Sequence, residues 1–138
     1  MFKKLINNIK DNKIFDKEYL QDIDTSEFSD MRDEEEFDDE WMRVFEYFDN
    51  ILLEEKYLPE INKVRECAYL KVYEYTNDCD MAAFVSDDFE LMCKAYILGY
   101  NDKWLNQLVN IYTMKQVPAG KLNVVCKDIK TEFEKMLF

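Results

Sequence analysis

Residues that interrupt a helix are nearly absent from this sequence: two Gly and two Pro in 138 residues. All-β domains need turn residues every ~8–12 positions. A chain with four breakers is therefore confined to long helices joined by short turns. Its apolar share of 48%, with ten Phe and nine Tyr, is enough for a packed core and argues against disorder in spite of the high charge. The expected fold is all-α, a single domain over residues 1–138 built as a bundle of about five to six helices.

Apolar spacing places the elements. Phe2, Leu5, Ile6 and Ile9 recur at helical steps, so Phe2–Lys13 reads as a short amphipathic helix docked on the core rather than on a membrane. Residues 16–30 show no sustained period and read as a short turn of helix followed by a loop. From Ser29 or Asp30, either of which can cap a helix, Phe37, Trp41, Val44, Phe45, Phe48, Ile51 and Leu52 form one stripe, predicting a helix to about Lys56. Pro59 suits a first helical turn, and Ile61, Val64, Ala68, Val72 and Tyr75 carry that helix to about Thr76. Its end, Tyr69–Thr76, also has strand composition, but the period already set favours helix. Asn77–Asp80 is a turn. Ser86 is read as the cap of a helix opened by Asp87 and Asp88 and closed by Gly99, and Asn101 as the cap of the next, with Trp104, Leu105, Leu108, Ile111 and Tyr112 inward. After a loop at Gln116–Gly120, Leu122, Val125, Cys126, Ile129, Phe133 and Met136 define a last helix.

The net charge of −12 is unevenly spread. Residues 1–15 carry four Lys against Asp11. Residues 16–40 carry 13 acids against Lys17 and Arg32, so nearly all of the imbalance sits in 25 residues. Such a surface repels nucleic acid and anionic lipid and steers basic partners inward.

The same composition removes most chemistries. With no His, the commonest general base and metal ligand is missing. Two distant Gly cannot make a phosphate-cradling loop. Cys67, Cys79, Cys93 and Cys126 are too widely spaced for a zinc ribbon, and free thiols are expected. No EF-hand loop is present, and the acids crowd one helix instead of converging from several. The expectation is a binding protein with no catalytic residue, no metal and no cofactor. Met1–Lys13 lacks a signal-peptide apolar run, and no stretch approaches a membrane span, which points to the cytoplasm.

The candidate binding residues follow from charge and exposure. On the helix beginning near Ser29, Glu35, Asp39 and Glu46 fall opposite the apolar stripe, flanked by Glu36 and Asp38. Plain solvation and a dedicated acidic binding face both account for this run, although like charges along one helix cost stability that solubility alone does not require. Asp87, Asp88 and the corner at Trp104 form a second candidate patch, with Trp104 rather than Trp41 as the better-placed exposed anchor. Both Trp otherwise read as core.

Residues 86–118 read SDDFELMCKAYILGYNDKWLNQLVNIYTMKQVP. This frame of caps, core positions and a helix-stopping Gly resembles small acidic helical immunity proteins encoded beside bacterial polymorphic toxins, including those of contact-dependent growth inhibition systems. The resemblance implies a protein that neutralises a cognate toxin domain by tight binding. Many such toxins are basic nucleases, which the acidic stretch would suit. An acidic nucleic-acid mimic of phage type and a non-inhibitory adaptor are the other readings compatible with the composition.

Overall fold

The computed structural model describes residues 1–124 and 128–137, of which 72% are helical, with no strand among them. Eight α-helices follow in order: α1 Lys3–Lys10, α2 Lys17–Asp22, α3 Thr25–Arg32, α4 Glu35–Asp49, α5 Leu58–Thr76, α6 Cys79–Leu98, α7 Lys103–Thr113 and α8 Ile129–Glu134, with a 3-10 turn at Glu55–Tyr57 before α5. The all-α class is as the sequence implied. The helix number among the described residues exceeds the expected five to six: residues 16–30, read as a short turn of helix followed by a loop, carry α2 and most of a second short helix, α3.

The centre is a hairpin of the two longest helices. Asn77, left-handed at φ 56°, and Asp78 are the whole link between α5 and α6, so the helices return along each other. Tyr69–Thr76 is helix. α6 buries Met81, Val85, Phe89, Met92 and Ala95 along with Ala82, Leu91 and Cys93, so it is covered on several sides and sits in the middle of the domain. α1 docks on α5 through Phe2, Leu5 and Ile9, all fully buried. Asn8 reaches across to donate to the Met136 carbonyl at 2.8 Å, and Phe2 meets Phe133 edge-on at 5.9 Å, so the two ends of the described chain share one core.

Several boundaries differ from the sequence reading, among them the end of α1, which stops at Lys10 rather than Lys13. The helix expected from Ser29 to Lys56 is broken at Asp33–Glu34, where Glu34 turns extended (ψ 143°), and α4 ends at Asp49. The break puts Glu35, Glu36 and Asp38 into a first turn, next to the positive end of the helix dipole, instead of stacking the acids along one continuous helix. The stripe's last residues leave the helix with it, and Leu52 is 99% exposed.

α6 begins seven residues before Ser86. Its cap is Asp78, whose carboxylate accepts from the Met81 N–H at 2.8 Å, while Ser86 is a buried mid-helix residue donating to the Arg65 carbonyl at 3.1 Å. Likewise α7 is capped by Asp102, accepting from Leu105 N–H at 2.9 Å, and Asn101 instead accepts from Ile129 N–H at 2.9 Å, which seats α8. Gly99 closes α6 at φ 65°, with Tyr100 N–H on the Ala95 carbonyl at 2.9 Å. Leu122 is not helical, α8 is short, and the expected core positions Val125 and Cys126 lie outside the described residues.

Candidate protein-binding site

Asp88 is 0% exposed and Arg32 4%, and together they organise the acidic end of the domain. The guanidinium forks onto the carboxylate, with Nη1 to Oδ2 at 2.8 Å and Nη2 to Oδ1 at 2.7 Å. Trp41 Nε1–H donates to Oδ1 at 2.8 Å and the Tyr112 hydroxyl to Oδ2 at 2.5 Å, so each oxygen accepts twice. Arg32 also donates to the Pro118 carbonyl at 3.1 Å and lies over the Phe37 ring, 4.2 Å from its centroid. One buried carboxylate on α6 thus ties down α3, α4 and α7, and its partner Arg32 ties down the loop at Pro118. Desolvation opposes the charge on Arg32, but Asp88 outweighs it and holds the guanidinium's pKa above its ordinary value. Burial, then the Asp88 charge, push the Tyr112 phenol well above its own. Both therefore stay protonated.

The other flank of α4 is held at the surface. Arg43 forks onto Asp102, the cap of α7, at 2.8 and 3.1 Å and reaches Glu40 at 2.9 Å. These hydrogen bonds raise its pKa, Asp102 contributing first. Phe37 packs edge-on to Trp104 at 5.2 Å beneath the same helix.

A groove of about 140 Å³ opens above the Arg32–Asp88 pair, between α3, α4 and α6. It is lined by the apolar and aromatic side chains of Phe37, Trp41, Met42 and Phe84 and by the charged side chains of Arg32, Asp33, Asp38 and Asp87. Trp41 is fixed by its bond to Asp88 and backed by Phe45, stacked at 5.5 Å. Asp87 is paired with Arg65 at 2.8 Å. Burial nevertheless raises its carboxyl pKa; Arg65 offsets this, and the charges of Asp88 and Glu90 add to it.

The residues expected at a binding surface are thus divided three ways. Asp38 and Asp87, 49 residues apart in sequence, meet at the groove. Glu35, Glu36, Asp39 and Glu46 are exposed on α4 outside it. Asp88 and Trp104 are withdrawn from the surface: Asp88 is the buried acceptor of four hydrogen bonds, and Trp104, 4% exposed, packs under Phe37. Trp104 begins α7 on the core side of its Asp102 cap, so its place after a turn does not expose it. Arg32, Asp33, Phe37, Trp41, Met42 and Phe84 are the lining residues that sequence reasoning did not assign to a site. Arg32 carried a usable signal, as one of two cations among 13 acids in residues 16–40.

The sequence pattern of a family described as immunity protein PIM1 matches residues 4–119. The chain belongs to the immunity protein PIM1 family. The resemblance carried by residues 86–118 therefore extends over most of the chain, and the matched span includes the whole buried hub and every groove residue. Membership of an immunity protein family implies a toxin as partner. No curated protein matches the chain. No helix among the described residues is long and apolar enough to cross a membrane.

Proposed function

We propose that this immunity protein neutralises a cognate, basic, nuclease-type toxin domain in the cytoplasm by covering it with the acidic face of α4, and catalyses nothing itself. The observation that carries the reading is the exposure of Glu35, Glu36, Asp38, Asp39 and Glu46 on one helix that is fastened on both flanks. A rigid helix presents its charges without an ordering cost on binding. Acids on one face steer a basic partner and fix its orientation, mainly through the association rate. Asp87 extends the charged surface from α4 onto α6.

The reading is tested by co-producing the chain with the toxin domain encoded beside its gene. Cells should survive with the wild-type chain and lose protection when Glu35, Asp39 and Glu46 are all replaced by Lys. Full protection by that triple variant, with the toxin produced at the same level, would refute the α4 face as the neutralising surface.

A further inference from the structure

We propose that the groove between α3, α4 and α6 is an anchor pocket for one arginine side chain of the bound toxin; the inference rests on the reading of α4 as the toxin-binding face. The groove's volume, about 140 Å³, is close to the ~150 Å³ of a cavity that takes a benzene-sized group. It fits one planar head with part of its stem, not a loop.

Its chemistry selects the head. Aromatic walls with carboxylates beside them match a guanidinium, which stacks on rings and forks onto carboxylates, better than a compact, strongly hydrated ammonium. Arg32, itself in the lining, shows the same preference, lying over Phe37 and Phe84 while forking onto Asp88.

Charge argues the same way. Arg32 is already neutralised by Asp88, so the groove keeps the negative sign of its rim. Among the described residues no ion pair reaches the carboxylates of Asp33 or Asp38. Burial raises the pKa of the Asp87 carboxyl despite Arg65, and a second cation beside it would oppose that rise. The site is also ready-made, since the Trp41 ring is clamped by Asp88 before any partner arrives.

The test is an NMR titration of the full chain with N-acetyl-arginine methylamide, alongside the citrulline counterpart, which keeps the shape and loses the charge, and the lysine counterpart. Trp41→Phe identifies the Trp41 indole signal. The expected result is a saturating shift of that signal with the arginine compound, weaker with lysine and absent with citrulline. Asp38→Asn with Asp87→Asn should weaken the response about tenfold, the scale of a lost charge-assisted contact. An unmoved Trp41, or equal shifts with arginine and citrulline, overturns the pocket. If Trp41 stays unmoved while protection still requires Glu35, Asp39 and Glu46, the pocket falls and the toxin-binding reading stands. If arginine docks but the triple Lys variant protects fully, the function reading falls and the guanidinium pocket stands.

Discussion

Replacing Asp88 with Asn keeps the shape of the buried hub and removes its negative charge. Arg32, 4% exposed, would keep its positive charge with no counter-ion. Removing one partner of a buried ion pair typically costs about 3–5 kcal/mol, most of it the penalty of the stranded charge. One amide oxygen must also replace two carboxylate oxygens for four donors, the two Arg32 bonds and those of Trp41 and Tyr112. A loss of about 4 kcal/mol is a large part of a domain's usual ~5–15 kcal/mol. For a chain of this size it lowers the melting temperature by on the order of 10–15 °C. Thermal and urea unfolding followed by circular dichroism would measure it. Adding Arg32→Met to Asp88→Asn removes the stranded charge while leaving an acceptor for Trp41 and Tyr112, so the double variant should be more stable than Asp88→Asn alone by about 2 kcal/mol. A cost below ~1 kcal/mol for Asp88→Asn, or further additive loss on adding Arg32→Met, would refute the stranded-charge reasoning.

Other consequences are as direct. Asp102→Ala removes the α7 cap and the partner of Arg43 together, and should cost about 1–2 kcal/mol in urea unfolding; Asn101→Ala leaves that cap intact and should cost less. Gly120 lies at φ 69°, where a Cβ would come within 3.0 Å of Met31 Cε, whereas Gly99 at φ 65° has open space around it. Both Ala variants should lose about 1 kcal/mol to the left-handed backbone, and Gly120→Ala little more, because Met31 Cε is the free end of a flexible side chain. Buried Tyr112 keeps its proton above the ordinary phenol value of 10.0, and buried Cys93 keeps its own above 9.0. Above those values the unfolded chain loses protons that the folded chain retains, so stability is full below about pH 9 and falls as pH rises, by up to ~1.4 kcal/mol per unit for each group. Urea midpoints from pH 8 to 11 should trace that fall, more shallowly above pH 10 for Tyr112→Phe; a flat profile would contradict it.

The helical class was legible because two signals agreed, the scarcity of breakers and apolar residues at steps of three and four. What escaped was set by long-range polar partners. Nothing local separates Asp88, in the core, from Asp87 at the surface; only the arrival of Arg32, 56 positions earlier, makes burial of Asp88 tolerable. The same pair hid the start of α6. An Asp-Asp beside Ser86 looks like a helix N-terminus, yet the true cap is Asp78 in the turn before it. The break at Asp33–Glu34 contains neither Gly nor Pro, so no breaker marks it in the sequence. On the binding side, one helical face placed Glu35, Glu36, Asp38, Asp39 and Glu46 at the surface. The union of Asp38 with Asp87, and the choice of Trp41 over Trp104 as the partly exposed indole, needed the packing of α4 on α6.

The central claim is that the exposed acids of α4 meet a basic toxin domain. The most direct measurement is the association rate of the chain with the toxin domain encoded beside its gene, by surface plasmon resonance at low and at physiological salt. Screening at a Debye length of about 8 Å at physiological ionic strength should slow the wild type markedly. Replacing Glu35, Asp39 and Glu46 with Lys should slow association strongly at low salt while the dissociation rate changes less. Equal association rates for wild type and triple variant at low salt would contradict the claim.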